Sequence, residues 1–275
     1  MTYDGMIAES IRVNGHNGDQ IDGYLARPLG AGPFPGVVLI HHMPGWDEAT
    51  KEMARKFAYH GYVCISPNLH YRVGPGSIDD VVARVRTEGG NPDAQIVGDV
   101  AGSLTYLESL PYYSGKVGTI GFCSGGRQVV IVASKLKFDA AVDCWGGRVV
   151  MNPPDINERM PVAPIDMTND LSAPLLGIFG LDDMSPSPEE VDQHEAVLKA
   201  AGKTHEFHRY EGAGHSFFAV DRPSYRSERP PTRGARCLLG TTSTSASHKW
   251  LHNRATFLRI RRDSSHPLRM ANPNS

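Results

Sequence analysis

The fold is decided by the stretch Gly118-Thr119-Ile120-Gly121-Phe122-Cys123-Ser124-Gly125-Gly126-Arg127. An apolar run of strand character leads into it, and an apolar run of helical character, at 129–133, follows it. Between them lies Gly-x-Cys-x-Gly, a pattern typical of a strand that feeds a sharp turn, where a nucleophile is held, and then a helix. Glycines are needed in such a turn because larger side chains would collide across it. The pattern therefore predicts an elbow with Cys123 at its apex.

Cys123 can be interpreted in two ways. As a nucleophile it would lie at a helix N-terminus, whose partial positive charge and free N–H groups favour the thiolate over the thiol. As a structural residue it would be a buried and inert cysteine, which is the usual state of a free cysteine. The other cysteines form neither a CxxC pair nor a metal-ligand spacing; they are Cys64, Cys144 and Cys237. The choice depends on whether the chain also supplies a base and a group that orients it.

Hydrophobic patterns along the rest of the chain predict alternating strands and helices. The predicted strands are an antiparallel hairpin at 8–27 and single strands at 36–40, 62–66, 117–120, 138–144, 174–180 and 205–210. The predicted helices are 47–60, 93–109, a segment that begins after Cys123, and 187–202, with a further one expected within 71–91. This alternation implies an α/β fold, with a mostly parallel sheet and helices on both faces.

Candidates for the base and its orienting group follow two of the predicted strands. Asp182 and Asp183 come directly after the strand at 174–180, and His215 lies in a glycine-flanked sequence after the last strand. In α/β-hydrolases the nucleophile, the acid and the histidine occur in this order, on loops at the carboxyl ends of successive strands. The alternatives are a loop histidine without a role at 215 and a charged residue of a surface turn at 182.

The chain resembles the dienelactone hydrolase family, which has the α/β-hydrolase fold, over about residues 8–222. The shared features are Gly121-Phe122-Cys123-Ser124-Gly125-Gly126, the Gly-x-x-Asp at 180–183 and Gly212-Ala213-Gly214-His215-Ser216-Phe217-Phe218, which agree in order and approximate spacing. The resemblance implies a cysteine hydrolase with a Cys123–Asp183–His215 triad. Asp183 is preferred because it lies three residues after Gly180, and Asp182 is the neighbouring alternative.

The same resemblance assigns the donors of an oxyanion hole. One is the backbone N–H of Ser124, directly after the nucleophile, and the other is that of Met43, in the loop after the third strand. Where the family has a glutamate that bonds the resting cysteine, this chain has His42. Because an imidazole cannot replace a carboxylate acceptor, we expect the resting state of Cys123 to differ, and we expect His42 to contact the substrate.

Family members hold a substrate carboxylate with two arginines, and here the resemblance is partial. Arg72 occupies one of those positions, with a solvent-facing loop arginine as the alternative. The second position has Ala219, and Arg222 is the candidate replacement. Trp46 and Tyr71 are expected either to wall the substrate pocket or simply to pack. Loss of half a bidentate clamp leaves related lactones and esters open as substrates.

Residues 226–275 differ in kind from the rest of the chain. Ser, Thr, Arg and Pro dominate, and the segment is basic whereas residues 1–225 are acidic. We predict one α/β-hydrolase domain at 1–225 and a disordered or loosely packed tail at 226–275. A nucleic-acid arm is the alternative for the tail. The family's closing amphipathic helix is not evident after Tyr225, which raises the hypothesis of an end read in a shifted frame.

Composition limits the classes of partner. A net charge of −2 over 275 residues argues against bulk binding of nucleic acid. No apolar run approaches the roughly 20 residues of a membrane span. With no visible export signal, we expect a cytoplasmic protein with reduced thiols.

The expected partner is a small-molecule lactone or ester, bound by a monomer or a homodimer. The paired His41 and His42 lack a third metal ligand, and the resemblance implies no cofactor. A carboxylesterase or thioesterase of other specificity and a non-catalytic ligand-binding protein on the same fold are the alternatives.

Overall fold

The structure is a computed structural model that describes residue 3 and residues 5–217. The predicted tail at 226–275 lies outside these residues, as do Ala219, Arg222 and Cys237. The described part of the chain has an α/β-hydrolase fold, as predicted from the alternation of strands and helices.

One sheet of eight strands runs through the described residues, in the order β1-β2-β4-β3-β5-β6-β7-β8. The strands are β1 (Met6–Asn14), β2 (Gln20–Pro28), β3 (Phe34–Ile40), β4 (Val63–Pro67), β5 (Tyr113–Phe122), β6 (Ala140–Cys144), β7 (Leu175–Gly180) and β8 (His205–Tyr210). β2 pairs antiparallel with both β1 and β4, whereas the remaining pairs are parallel. The predicted hairpin and single strands are therefore confirmed, with small shifts at their ends.

The helices of the described residues are α1 (Glu48–Tyr59), α2 (Ile78–Thr87), α3 (Asp93–Glu108), α4 (Ser124–Lys135) and α5 (Pro188–Ala200). Side chains cap the N-termini of three of these helices. Asp47 accepts a hydrogen bond from the backbone N–H of Thr50 at α1, and Ser77 and Ser187 form capping boxes at α2 and α5. Among the described residues, no helix combines the length and apolar character that a bilayer crossing requires.

Both faces of the sheet have an apolar core, because successive residues of a strand point to opposite faces. In β3, Val38 and Ile40 belong to a core that includes residues of α3 and α4, whereas Val37 and Leu39 belong to a core that includes Phe57 of α1. Full burial of one such side chain contributes about 1.5–3 kcal/mol. Packing on both faces fixes the carboxyl ends of β3, β5, β7 and β8 at one edge of the sheet, where the candidate residues lie.

Candidate active site

Cys123 lies at a sharp turn between the end of β5 and the first residue of α4. Its backbone has φ 55° and ψ −120°, and a non-glycine residue rarely adopts a positive φ. A side chain at Gly121 would collide with the carbonyl oxygen of Gly125, and one at Gly125 would collide with that of Ile40. Glycine at both positions is therefore a steric requirement of the turn.

The side chain of His215 lies between a carboxylate and the sulfur of Cys123. Its Nδ1 is 2.9 Å from Oδ2 of Asp183, and the imidazole also hydrogen-bonds the Cys123 side chain. Asp183 is only 3% exposed, and its other oxygen accepts the backbone N–H of Ser185 at 2.9 Å. The turns after β5, β7 and β8 thus bring together the three residues of the predicted triad.

Asp182, the alternative orienting group, has a different place. Its side chain is exposed, and its backbone N–H donates to the carbonyl of Ala213 at 2.9 Å. That hydrogen bond joins the turn after β7 to the turn after β8. The structure therefore pairs Asp183, and not Asp182, with His215.

The electrostatics of Cys123 and His215 favour an ion pair. Burial of the sulfur raises the pKa of Cys123, but the hydrogen bond and charge of His215, with backbone N–H groups of Ser124 and Met43, bring that pKa below its ordinary value. Burial lowers the pKa of His215, but Asp183 and Cys123 outweigh it and raise the pKa to about 10. Both shifts favour a thiolate beside an imidazolium.

The two predicted oxyanion donors converge on the sulfur. The backbone N–H of Ser124, at the start of α4, and that of Met43, in the loop between β3 and α1, both hydrogen-bond Cys123. The close packing of Gly125 against the carbonyl of Ile40 holds these two segments together. A carbonyl oxygen bound next to the sulfur would lie within reach of both donors.

His42 does not take the place of the family's glutamate as a partner of the cysteine. Its Nε2 lies 2.7 Å from Oδ2 of Asp47, the N-cap residue of α1, and its side chain does not line the cavity over Cys123. Asp47 also accepts from the N–H and the hydroxyl of Thr50. His42 therefore stabilises the loop that presents Met43, which corrects its predicted contact with the substrate.

A cavity of about 670 Å³ opens over Cys123. Most of its wall surface is apolar, and the polar residues that the sequence analysis did not single out are Arg86, Asn91, Arg127, Gln128, Arg148, Asp155, Asn157 and Ser185. Arg148 lies 3.4 Å from Asp155, and Arg86, at the end of α2, is exposed and has no ion pair among the described residues. An apolar wall with a few polar groups is typical of a small-molecule site, and the arginines suit an anionic group of the ligand.

The structure does not bring Arg72 to this cavity. Its guanidinium lies 2.8 Å from a carboxylate oxygen of the fully buried Asp99 and 2.7 Å from one of Asp19. Its nitrogens are therefore occupied between α3 and the β1–β2 turn, which corrects the expectation that Arg72 binds the substrate. Trp46 and Tyr71 line another cavity, of about 480 Å³. Trp46 packs edge-on against Tyr24, and Tyr71 packs against the apolar core, so the second expectation for them, that they pack, fits better.

Arg127 is the wall residue with the clearest sequence signal, because it ends the elbow motif itself. It is buried, and two of its nitrogens lie 2.7 and 3.1 Å from the two carboxylate oxygens of Asp93 at the start of α3. Such a bidentate pair fixes the orientation of both partners. The pairing of Arg127 with Asp93 spans the cavity wall, and no spacing rule in the sequence links these two residues.

The paired histidines, His41 and His42, have hydrogen-bond partners within the protein. Within residue 3 and residues 5–217, no cluster of three His, Cys, Asp or Glu side chains could hold a metal ion. His41 is buried, which lowers its pKa to about 3, and its ring nitrogens bond the carbonyl of His42 and the backbone N–H of Leu69. A neutral His41 thus holds the β3–α1 loop against the residues after β4.

Comparisons with known proteins show which family the chain is similar to. The model of the family described as "Dienelactone hydrolase family" matches residues 21–237, beyond the predicted domain end at 225. A protein of Methylorubrum extorquens named "Putative carboxymethylenebutenolidase" is 34% identical over 233 residues, which cover 82% of this chain and 77% of that protein. A protein of Escherichia coli K12 with the same name is 32% identical, over 76% of this chain and 78% of that protein.

A solved structure shows the same similarity. The crystal structure described as "Putative Dienelactone Hydrolase" from Klebsiella pneumoniae has 26% sequence identity and a TM-score of 0.76, and the match covers 92% of this chain and 98% of that one. The family resemblance inferred from the elbow, the Gly-x-x-Asp and the histidine sequence is thereby confirmed.

Proposed function

Because this chain belongs to the dienelactone hydrolase family and is a hydrolase of ester or lactone bonds, we propose that it acts through Cys123, His215 and Asp183 on a small dienelactone-like lactone or ester. The observation that carries the proposal is the surroundings of the sulfur. Cys123 is bonded by the imidazole of His215 and by two backbone N–H groups, from Ser124 and Met43. This set provides a nucleophile, a proton carrier and an oxyanion site at one point.

The first step forms a thioester. The Cys123 thiolate attacks the carbonyl carbon, and the oxygen that becomes negative is stabilised by the N–H groups of Ser124 and Met43. When the C–O bond to the leaving group breaks, the His215 imidazolium donates its proton to the departing enolate or alkoxide. Asp183 holds the ring in the orientation needed for that transfer.

The second step releases the acid and restores the enzyme. Neutral His215 takes a proton from a water molecule, whose oxygen attacks the thioester carbonyl. The tetrahedral intermediate collapses to the carboxylic acid and expels the Cys123 thiolate, and His215 is again protonated. Atoms balance as one water consumed for each ester or lactone opened.

The cavity wall supports a polar or anionic substrate. Arg86 is exposed without an ion pair among the described residues, and Arg148 donates from one nitrogen to the carbonyl and a carboxylate oxygen of Asp155, at 3.3 and 3.4 Å. A substrate carboxylate placed between these arginines would bind by charge-assisted hydrogen bonds. We propose that they take the role that the sequence analysis gave to Arg72.

The test is hydrolysis of a dienelactone and of 4-nitrophenyl acetate by wild-type protein and by Cys123→Ala. Wild-type protein is expected to turn over at least one of them, and Cys123→Ala neither. Cys64→Ala is the matched control, since Cys64 is fully buried in β4 and does not line the cavity. Turnover retained by Cys123→Ala would contradict the triad, and turnover of the simple ester alone would favour a carboxylesterase of other specificity. No turnover by folded wild-type protein would favour the ligand-binding alternative.

A further inference from the structure

The second helical turn behind the nucleophile places an amide in the cavity wall. Gln128 lies in α4, five residues after Cys123, and lines the cavity of about 670 Å³. Gln128 is buried, with only 7% of the residue exposed. The residues that follow it on α4, such as Val129 and Val130, are apolar core residues. The amide is therefore a buried polar group of the cavity wall, next to apolar core residues of the same helix.

The oxygen of this amide has no hydrogen-bond partner among the described residues. Oε1 of Gln128 is a buried and unpartnered acceptor. The adjacent Arg127 differs, because Asp93 occupies two of its three guanidinium nitrogens, although its Nε is also buried and unpartnered. Buried polar groups in folded proteins nearly always have a partner, so an orphaned one in a binding cavity indicates a group that a ligand satisfies.

The chemistry of an amide limits the class of that ligand group. An amide offers an acceptor oxygen and a donor nitrogen, and exchange of the two atoms in the assigned orientation does not alter this. A carboxylate only accepts hydrogen bonds, so in either orientation it would leave the amide oxygen of Gln128 without a donor. A hydroxyl both donates and accepts, and it is small enough to lie against the amide without a counter-charge.

We infer that Gln128 is a specificity-determining residue that binds a hydroxyl group of the substrate, so that the preferred lactones or esters are hydroxylated. The inference rests on the proposed function, since it places Gln128 in the substrate cavity of a hydrolase. Gln128 would act beside the arginines: Arg86 and Arg148 attract an anionic group, whereas Gln128 distinguishes compounds of equal charge by one hydroxyl. A site that hydrogen-bonds a substrate hydroxyl discriminates strongly against the analogue that lacks it.

The experiment compares kcat/KM within pairs of substrates that differ by hydroxyl groups. The pairs are γ-butyrolactone with its 2-hydroxy and 3-hydroxy derivatives, for the acyl side, and propyl acetate with glycerol 1-acetate, for the alcohol side. Wild-type protein is expected to prefer the hydroxylated member of at least one pair by about 10- to 100-fold. In Gln128→Met, which keeps the length and shape of the side chain but removes the amide, that ratio is expected to fall toward 1.

Two further variants separate the hydroxyl contact from a general disturbance of α4. Gln128→Glu keeps an acceptor and is expected to retain part of the preference, by accepting from the substrate hydroxyl. Ser134→Ala is the matched control: Ser134 is buried on the same helix, bonds the carbonyl of Val130 and does not line the cavity. It is expected to keep the wild-type ratio. If Gln128→Met does not fold, Gln128→Asn withdraws the amide by one methylene and is expected to lower the ratio.

Failure of this inference is distinguishable from failure of the proposed function. Equal kcat/KM for both members of every pair in an active wild-type enzyme would overturn the hydroxyl contact alone. An unchanged ratio in Gln128→Met would do the same. Wild-type protein that hydrolyses the dienelactone but no member of any pair would overturn the hydroxyl contact alone. Wild-type protein that hydrolyses no member of any pair, nor the dienelactone, nor 4-nitrophenyl acetate, would overturn both.

Discussion

Two histidine–aspartate pairs of similar geometry have different surroundings in this molecule. Nδ1 of His215 lies 2.9 Å from Asp183, and Nε2 of His42 lies 2.7 Å from Asp47. In the first pair the imidazole also bonds the sulfur of Cys123. In the second pair the carboxylate is the N-cap of α1. The third partner, and not the histidine–aspartate contact, therefore decides what such a pair can do.

The position of each pair on the sheet determines that third partner. Asp183 follows β7, and His215 follows β8. The carboxyl ends of these strands lie at the same edge of the sheet as the elbow after β5, with β6 between β5 and β7. His42 and Asp47 both belong to the single loop after β3, so their contact closes that loop on itself. Disruption of the first pair is thus expected to affect chemistry, and disruption of the second to affect the stability of a loop.

The largest expected effect comes from His215→Gln, which removes the proton carrier and the positive partner of the thiolate. We expect kcat/KM for the best ester or lactone to fall by about 10⁴- to 10⁶-fold, as for triad residues that act as a unit. His42→Gln is the matched variant, since it removes the other paired imidazole. A comparable loss in His42→Gln would show that the second pair also acts in the chemistry, against the comparison above.

Asp183→Asn is expected to have the next largest effect. It keeps the shape of the side chain but removes the charge that orients His215 and raises its pKa, so kcat/KM should fall by about 10²- to 10⁴-fold. Asp182→Asn supplies the control at the adjacent, exposed position. Steady-state kinetics of the two variants decide between these aspartates, and the larger loss in Asp182→Asn would reverse the assignment made from the 2.9 Å contact.

The pH dependence of Cys123 alkylation tests the ion pair directly. Because the thiolate reacts with iodoacetamide and the Cys123 pKa is lowered, the rate should stay high as the pH falls below the ordinary thiol range near 8.5. In His215→Gln the pKa should rise, since burial of the sulfur then acts without the imidazolium. We expect the rate at pH 6.5 to be lower by about 10- to 100-fold.

His42→Gln provides the contrast in that experiment, because its pair has no contact with the sulfur. In His42→Gln, the alkylation rate of Cys123 is expected to show its inflection at the same pH as in wild-type protein. Burial raises the pKa of Cys64 and of Cys144, so alkylation should be confined to Cys123 among the cysteines of the described residues, as read by mass spectrometry. An inflection in wild-type protein at or above pH 8.5 would contradict the thiolate.

Sequence reasoning located the elements of the site that depend on local pattern. The elbow at Cys123 could be predicted because steric limits on a tight turn require glycine at fixed positions. The strands could be predicted because buried parallel strands are short apolar runs. The order of the nucleophile, the acid and the histidine then followed from the family resemblance, and the structure places Asp183 and His215 in contact.

Sequence reasoning failed where a side chain's place depends on distant partners. Arg72 lies in the segment after β4, on the side of the sheet where the site residues lie. Asp99 and Asp19 nevertheless bind its guanidinium away from the cavity. Arg86 and Gln128 line the cavity only because α2 and α4 are packed around it, and neither belongs to a motif. The direction of a side chain on a loop or a helix flank is set by tertiary contacts that a linear pattern does not contain.

The smallest expected effect concerns the second pair as a structural device. Asp47→Ala removes the cap of α1, including the acceptor of the Thr50 N–H, and leaves His42 without its carboxylate. We expect the free energy of unfolding in urea to fall by about 1–2 kcal/mol. Ser77→Ala, which removes the exposed cap of α2, is the matched control for a lost cap alone.

The two cap variants should differ in activity as well as in stability. Because Met43 lies in the loop closed by His42 and Asp47, Asp47→Ala is expected also to lower kcat, by less than the roughly 10²-fold that follows loss of a whole oxyanion donor. Ser77→Ala should lower stability only. If Asp47→Ala left kcat at the wild-type value, the loop would hold the N–H of Met43 at the Cys123 sulfur without the His42–Asp47 pair. The role of that pair would then be limited to beginning a helix.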